Sequence, residues 1–351
     1  MKDSKVGLWV IVWTMCTVLS GYSTGFAGSL VAESISPTSV PHQDGGLSVL
    51  NGKLYAWTGN SSDRTVLEVY NPTTNTWTNA ARTPASRNGN TYFPLGGKLY
   101  SVGGEGPTYG SFTKTVYRYD PSADQWASRS NFPTNLWAAS AAVVGGTAYV
   151  IGGRHGYGQS YDQVYSYNDQ ADTWSSRAPM PYHVFDAAAV TVDDKIWVFG
   201  GVHGITESNR EYSNKVQVYD PATDQWSTMN DMPFRPGSYA AAGMYNGKIW
   251  LLAKSTMDQY GGNSTVNEFA YEFDPLTQQW TSHFYQTPSV VYYLSHELCI
   301  IGDYAYFGDA EANSVRLTNM YRVELPEPAS LALLSLGGLA VMRRGRRGTK
   351  R

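Results

Sequence analysis

Cysteine is scarce in this chain, with two copies among 351 residues. One of them, Cys16, lies in an N-terminal segment that we expect to be removed from the mature protein. Cys299 would then be the only thiol, so the mature chain could form no intramolecular disulfide. Because Cys299 sits in the apolar stretch ELCII, we expect it to be a buried hydrophobic side chain rather than a reactive group.

The common sequence signatures of catalysis and metal binding are also missing. No stretch has a nucleophile motif or a glycine loop that would cradle a phosphate. His155 and His203 follow successive Gly-Gly pairs, but no histidines are spaced to chelate one ion, so we interpret both as solvated loop residues. The sequence therefore predicts neither a metal nor a cofactor.

Basic residues do not form a stripe along the body of the chain. The whole chain has a formal net charge of −3; residues 1–27 contribute +1 and the residues after Glu327 contribute +6, so the body carries −10. An acidic body disfavours binding to nucleic acid and to anionic lipid surfaces. We expect no nucleic-acid partner.

The chain does contain a sequence motif that recurs five times, which we call the recurring phrase. Each copy is a short apolar-aromatic strand, a turn rich in Asp, Asn, Pro and Thr, and a tryptophan that opens the next strand. The tryptophans are 49, 48, 52 and 54 residues apart, at Trp77, Trp126, Trp174, Trp226 and Trp280. Such a period of short strands predicts an all-β ring in which each repeat is one blade. We predict that these tryptophans pack between blades.

A second landmark precedes each phrase by about twenty residues. It is an aromatic strand that ends in Gly-Gly at residues 98–104, 147–153 and 195–201, with weaker copies at 53–59 and 248–254. Small apolar runs ahead of these strands suit an inner strand near a crowded axis. This order of strands, Gly-Gly pair, variable loop and tryptophan strand resembles the kelch repeat over roughly residues 41–325. The resemblance implies a β-propeller.

The number of blades follows from an incomplete last repeat. Residues 303–309 and 319–325 supply a sixth aromatic strand and a sixth third strand, but no sixth tryptophan strand follows. Residues 30–41 precede the first inner strand and have no partner of their own. We predict a six-bladed propeller, residues 28–325, closed by this N-terminal strand, because an open sheet edge invites aggregation. Kelch rings are commonly closed in this way.

Both ends of the chain have the character of targeting segments. Residues 1–27 combine two lysines, an apolar core and small residues, which predicts a secretory signal peptide cleaved after Ala27. At the other end a Pro-Glu-Pro motif precedes a 14-residue apolar stretch, residues 329–342, and a basic tail. That stretch is short for a stable membrane span, which needs about 20 residues.

These C-terminal features resemble the PEP-CTERM sorting signal of Gram-negative bacteria. The residues that carry the resemblance are Pro326, Glu327, Pro328, Arg343, Arg344, Arg346 and Arg347, within a predicted sorting segment 326–351. The resemblance implies a membrane protease of the exosortase type as a partner, which cuts near the motif. It also implies transient attachment to the inner membrane, then an extracellular or cell-surface location.

In an antiparallel blade the loops divide between two sides of the ring. Turns between the first and second strands, and between the third and fourth, are short here, and we name their side the short-turn face. Loops between the second and third strands share the other side with the blade-to-blade crossings, and we name it the long-loop face. Its loops are long and unlike one another, for example at residues 105–113 and 202–213. Binding residues concentrate on such loops.

A fixed offset ahead of each second strand marks the residues at the mouth of the channel on the long-loop face. These are Asp44, Gly89, Ala138, Asp186, Tyr239 and Ser295, with neighbours His42, Arg87, Asn88, Trp137, Phe185, Tyr293 and His296. Flat aromatic rings among hydrogen-bonding groups suit sugar rings. We therefore predict that this face binds an extracellular polysaccharide or a surface protein, although the aromatic residues could instead only cap the channel.

Two enzymatic alternatives use the same scaffold. A sugar mutarotase or epimerase, as among periplasmic kelch proteins, would need a carboxylate and a base near the axis, and Asp186 with His183 or Arg235 could serve. A copper oxidase of the galactose oxidase kind would need a cysteine linked to a tyrosine. Cys299 lies far along the chain from Tyr182 and His183, which disfavours that chemistry.

Overall fold

A computed structural model describes residues 25–326 apart from 43–44, 58, 60–62, 157–158, 205–208, 237–239, 254–268, 287–297, 309–310, 313–314 and 317. The described residues form 28 β-strands. Over these ranges no helix is long and apolar enough to cross a membrane. Several predicted residues lie outside the described ranges, namely Asp44, Tyr239, Tyr293, Ser295, His296, the N-terminal leader up to residue 24, and everything after Pro326.

The strand β1 (Gly25–Ile35) precedes five four-stranded antiparallel blades. Blade 1 contains Gly46–Leu50 (β2), Lys53–Trp57 (β3), Leu67–Asn71 (β4) and Thr76–Asn79 (β5). Blade 2 contains Thr91–Leu95 (β6), Lys98–Val102 (β7), Val116–Asp120 (β8) and Gln125–Arg129 (β9). Blade 3 contains Ser140–Val144 (β10), Thr147–Ile151 (β11), Val164–Asn168 (β12) and Thr173–Ser176 (β13).

Blades 4 and 5 follow the same order, with additions in the long loops. Blade 4 contains Ala188–Val192 (β14), Lys195–Phe199 (β15), the loop hairpin Val202–His203 (β16) and Glu211–Tyr212 (β17), then Val216–Asp220 (β18) and Gln225–Thr228 (β19). Blade 5 contains Ala241–Tyr245 (β20), Lys248–Ala253 (β21), Phe269–Asp274 (β22) and Gln279–Gln286 (β23).

The sixth blade takes its outer strand from the N-terminus, as the sequence predicted. Its own strands are Cys299–Ile301 (β24), Tyr304–Gly308 (β25), a loop hairpin Glu311–Ala312 (β26) and Val315–Arg316 (β27), and Met320–Glu324 (β28). The end of β1 pairs with β28 in antiparallel register, from Ala32 opposite Val323 to Ile35 opposite Met320. An ion pair between Arg322 and Glu33 adds to this pairing. The ring is therefore closed by joining the two ends of the chain.

The first half of β1 has a second partner, which the sequence did not indicate. It runs parallel to β23, the outer strand of blade 5, from Gly25 opposite Thr281 to Val31 opposite Gln286. One N-terminal strand therefore covers the edge of blade 5 and completes blade 6. This explains why both blades belong to one eight-stranded sheet.

The core lies between neighbouring blades, and the inner strands meet around a narrow axis. Each inner strand lies beside the inner strand of the next blade, which requires small side chains at the closest approach. A Cβ on Gly243 would come within 2.8 Å of Ile300 in blade 6. The next residue toward the N-terminus, Cys299, faces the other way and is buried between blades 6 and 1 with Leu47 and Tyr306, as expected from its apolar surroundings.

The recurring phrase forms the same hydrogen bonds between neighbouring blades in several copies, and we call this set of hydrogen bonds the latch. In blade 4 the carboxylate of Asp224 accepts hydrogen bonds from the Tyr219 hydroxyl at 2.6 Å and from the backbone nitrogen of Ala178 at 2.9 Å. The indole nitrogen of Trp226 donates to the carbonyl of the same Ala178 at 2.8 Å. Ala178 follows the outer strand of blade 3, so the latch ties each blade to the one before it.

The same latch occurs in blades 1, 2 and 3. Its tryptophan donors are Trp77, Trp126 and Trp174, which bond the carbonyls of Ser36, Ala81 and Ser130 at 2.7, 2.8 and 3.0 Å. The acceptor is an Asp, or Asn75 in blade 1, and each has a positive φ between 50° and 54°. Asp and Asn tolerate this left-handed conformation better than other side chains.

Blade 5 departs from the latch, because Phe273 and Gln278 replace the tyrosine and the aspartate. Its tryptophan, Trp280, is instead 4 % exposed and packs in a cluster of aromatic rings. The Phe199 and Phe234 rings meet it edge-on, with centroids 5.9 and 5.3 Å away. The other four tryptophans are half-buried.

Candidate functional site

The mouth of the channel is built on residues with left-handed backbone conformation. Gly89, Ala138 and Asp186, the fixed-offset positions of blades 2, 3 and 4, have φ values of 58°, 55° and 52°. The nitrogen of Ala138 donates to the carbonyl of Gly89, and the nitrogen of Asp186 donates to the carbonyl of Ala138, both at 2.9 Å. These hydrogen bonds run from blade to blade around the axis. A positive φ is unfavourable for alanine, and these two hydrogen bonds hold Ala138 in that conformation.

Each crossing segment also pairs with the loop that follows the Gly-Gly pair. The residue before each left-handed position forms a β-bridge, and the pairs are Asn88 with Glu105, Trp137 with Arg154, and Phe185 with Val202. In this way the fold places a residue of each long loop directly beside the mouth. The Gly-Gly pairs make this possible, because a Cβ on Gly153 would lie 3.0 Å from the carbonyl of Trp137.

A small pocket opens between these segments along the axis. Its lining includes Gly89, Ala138 and Asp186 together with the first residues of the inner strands. It leaves about 50 Å³ for the centres of water-sized molecules. One water needs roughly 10–15 Å³ by this measure, so the pocket, as far as the described residues bound it, has room for a few waters.

The aromatic residues at this mouth are already engaged by an arginine. The Arg154 guanidinium lies over the Trp137 ring at 3.9 Å and over the Phe185 ring at 4.3 Å. Arg154 is 3 % exposed and Phe185 is 2 % exposed. Cation–π stacking of this kind is strongest when it is desolvated. Phe185 therefore lies in the floor of the face rather than on its surface, and Trp137 has a ring face covered.

Arg154 was not among the site residues predicted from the sequence. Its partners are 17 and 31 residues away in the chain, and only the bridge between the crossing and the loop brings them together. The available signal was its position directly after a Gly-Gly pair, which Glu105 and Val202 share.

Three other predicted residues are held by hydrogen bonds in or below the floor. The Arg87 guanidinium donates to the carbonyls of Gly103 and Thr115 at 3.0 and 3.1 Å, and burial lowers its pKa. Asn88 is 7 % exposed. The imidazole of His42 lies 3.0 Å from Glu68.

The Glu68 carboxylate is buried and nevertheless has a lowered pKa. Burial by itself would raise that pKa, but hydrogen bonds from His42 and from the backbone of Ser39 outweigh the effect. His42 therefore serves as a partner of a buried carboxylate in the third strand of blade 1.

The structure brings His183 and His203 together, a pairing the sequence did not predict. Their ring centroids are 4.1 Å apart, and Tyr182 stacks on His203 at 4.4 Å. His183 Nδ1 lies 2.7 Å from the Ser160 hydroxyl. Burial and the neighbouring His203 lower the pKa of His183. His203 is half-buried between these loops, and its Nδ1 lies 3.0 Å from the carbonyl of His183. This corrects the expectation that His203 is a solvated loop residue.

His155 is likewise bonded rather than solvated. Its Nε2 lies 2.9 Å from the Thr134 hydroxyl, and its ring stacks on Tyr161 at 3.8 Å. Burial lowers its pKa. Among the described ranges no group of three or more His, Cys, Asp and Glu side chains is arranged to hold a metal ion.

Among the described residues, the three side chains of the mutarotase alternative do not all line the axial pocket. Asp186 lines the axial pocket, whereas neither His183 nor Arg235 contributes to its lining. His183 belongs to the histidine cluster, and the charge of Arg235 acts on Tyr182 in the same region.

The comparisons with known proteins agree with this architecture. Residues 89–308 match the family profile described as the KLHDC2/KLHL20/DRC7 Kelch-repeats domain, and the chain belongs to this kelch-repeat family. Residues 324–347 match the PEP-CTERM protein-sorting motif. The protein is therefore an exported kelch propeller with a C-terminal sorting signal, and it is an interaction module by class.

Individual relatives show the same repeat. The chain is 28 % identical over 249 residues to Kelch-like protein terF of Aspergillus terreus, covering 70 % of this chain and 42 % of the relative. It is 30 % identical over 232 residues to Kelch-like protein 35 of Mus musculus, covering 66 % and 29 %. The chain thus spans less than half of these relatives. The solved structure of YjhT aligns with a TM-score of 0.56 at 18 % identity, covering 69 % of this chain and 84 % of that one.

Proposed function

We propose that this exported propeller binds a protein partner through its long-loop face. The observation that supports this proposal is the closed floor of the mouth, where Ala138, Phe185 and Asp186 are all less than a tenth exposed. The axial pocket has space for a few waters only. A partner must therefore contact the loops above the floor over a broad surface, as in protein–protein interfaces.

A protein fits the described part of this face better than a sugar does. Sugar recognition needs an exposed aromatic ring face, whereas Arg154 occupies ring faces of both Trp137 and Phe185. The long loop of blade 2 carries Tyr109, which is 82 % exposed. Exposed tyrosine is typical of protein interfaces. An extracellular polysaccharide is the other ligand predicted from the sequence, and the same experiment tests it.

The experiment compares the two faces of the processed protein. A photoreactive amino acid replaces Tyr109 on the long-loop face or, as the matched control, the exposed Asp194 on the short-turn face. At the surface of the native cell we expect a discrete protein adduct from position 109 and none from position 194. A glycan array is probed in parallel with unmodified protein. Equal adducts from both positions would refute the choice of face, and glycan binding without an adduct would replace the protein partner by a polysaccharide.

A sugar mutarotase is the second candidate, and the position of Asp186 in the axial pocket favours it. The reaction would need this carboxylate to exchange a proton with the sugar. Exchange of sugar anomers, followed by NMR with the processed protein, tests it. Exchange that is lost in Asp186→Asn but retained in Asp194→Asn would establish the enzyme, and no exchange with any sugar tested would exclude this reaction for those sugars.

The proposed location follows from the two ends of the chain. We propose that a leader ends at Ala27, that an exosortase-type protease cuts near Glu327, and that the propeller acts outside the cell. Removal of both ends leaves an acidic body of net charge −10. Such a body has little attraction for anionic lipid once the membrane segments are gone.

A further inference from the structure

We infer that the propeller, while its C-terminal segment is still in the membrane, stands with its short-turn face toward the membrane and its long-loop face away from it. The inference rests on the proposed sorting through the C-terminal segment. It adds an orientation, which decides what the tethered protein can bind.

The place where the chain leaves the ring determines which face lies nearer the membrane. The last strand, β28, ends at Glu324, which is opposite Tyr304 at the start of β25. The nitrogen of the next residue, Leu325, donates to the carbonyl of Asp303 at 2.8 Å. Asp303 belongs to the turn between the first and second strands of blade 6, which lies on the short-turn face. The C-terminal segment therefore leaves from that face.

The connection between the folded propeller and the apolar stretch is short. Leu325 is 2 % exposed and packs in the core with Trp250 and Val323, so the folded body extends to this residue. Only residues 326–328 separate it from the apolar stretch. Three residues span at most about 10 Å, and two of them are prolines with a fixed φ. A connection of three residues is too short to reach around the ring, so the propeller cannot turn its other face to the membrane.

Few large apolar side chains are exposed on the described part of the propeller. Among the described residues the exposed large hydrophobic side chains are Val31, Tyr109 and Leu276. Leu276 lies in the turn between β22 and β23 of blade 5, on the short-turn face, and is 87 % exposed. An exposed leucine thus lies on the side from which the membrane segment leaves, where a lipid interface would cover it.

The leader leaves from the same side of the ring. The start of β1 pairs with the start of β23, since Gly25 is opposite Thr281, and the turn before β23 is the one that carries Leu276. A precursor with both ends still in the membrane would therefore be held by neighbouring blades, in the same orientation.

The experiment measures thiol labelling of the full chain in membranes of a cell that has no exosortase. Both native cysteines are replaced, by Cys16→Ser and Cys299→Ala, and a single cysteine is introduced as Leu276→Cys or Tyr109→Cys. A bulky maleimide-polyethylene glycol is the probe. The soluble control is the same chain with Leu333→Arg, which breaks the apolar stretch and leaves the propeller unchanged.

We expect Leu276→Cys to lose most of its labelling in the membrane form relative to the soluble control, and Tyr109→Cys to label equally in both forms. Equal labelling at both positions would overturn the fixed orientation, and protection of Tyr109→Cys alone would reverse it. Absence of the full chain from the membrane fraction would overturn the tether itself. None of these outcomes affects the cross-linking test of the long-loop face, which uses the processed protein.

Discussion

The latch between blades makes a prediction that separates hydrogen bonding from backbone conformation. Asp224 accepts hydrogen bonds from Tyr219 and Ala178 and has a φ of 54°. Replacement by alanine removes bonds to a charged group, about 1.5–3 kcal/mol, part of which solvent recovers because the site is half-buried. Alanine in the left-handed conformation costs about 1 kcal/mol more. We expect Asp224→Ala to lower the free energy of unfolding by roughly 2–3 kcal/mol.

Asp224→Asn is the matched control, because asparagine keeps the acceptor oxygen and tolerates the same backbone conformation. Blade 1 uses Asn75 in this role, accepting from Tyr70 at 2.8 Å and from Ser36 at 3.0 Å. We expect the asparagine variant to lose less than about 1 kcal/mol. Urea unfolding followed by tryptophan fluorescence measures both variants. If alanine and asparagine were equally destabilising, the latch would not be the source of the stability.

The latch also has a pH dependence with a definite sign. The hydrogen bonds from Ala178 and Tyr219 lower the pKa of Asp224 below that of an unfolded aspartate, which is about 3.9. A lowered pKa contributes stability above the unfolded value, and this contribution is lost as the pH falls through the folded value. The stability difference between the native chain and Asp224→Ala should therefore shrink below a pH of about 4.

Further predictions concern other parts of the ring. Trp280→Ala should cost about 3–5 kcal/mol by urea unfolding, because Trp280 is fully buried, and a change below about 1 kcal/mol would contradict a structural role for this residue. Deleting residues 28–35 should unfold or oligomerise the protein, and a variant that stays monomeric on size exclusion and keeps its melting temperature would refute closure. The mass of protein from the native cell surface should end near Glu327, and an attached arginine tail would mean a permanent anchor. Because the pKa of His183 is lowered, stability should fall as the pH drops below about 6.5, and His183→Gln should flatten that fall if the histidine is its cause.

The blades could be predicted from the sequence because their determinants are local. Strand, turn and tryptophan recur in each copy, and the missing outer strand of blade 6 left residues 30–41 as its available source. The parallel pairing of β1 with β23 was not predictable. It joins residues such as Gly25 and Thr281, which lie far apart in the chain and share no sequence signal.

The mouth of the channel could be located from the sequence, but its surface could not. The fixed offset found Gly89, Ala138 and Asp186, which share one backbone conformation. A left-handed residue redirects the chain at that point, so the polarity of neighbouring side chains does not predict which of them face solvent. For the same reason Phe185 is buried beneath Arg154, although both belong to segments that read as exposed loops.

Closure by the first strand has a consequence for the time at which the molecule can fold. Arg322 and Glu33 are 289 residues apart, so bringing such ends together costs about 5 kcal/mol of chain entropy. During synthesis β1 has no antiparallel partner until nearly the whole chain has been made. Each earlier blade can form its own hairpins, yet the ring gains its last edge only with β28. Such late closure means that the complete ring, with its last edge covered, forms only after the end of the chain has been made.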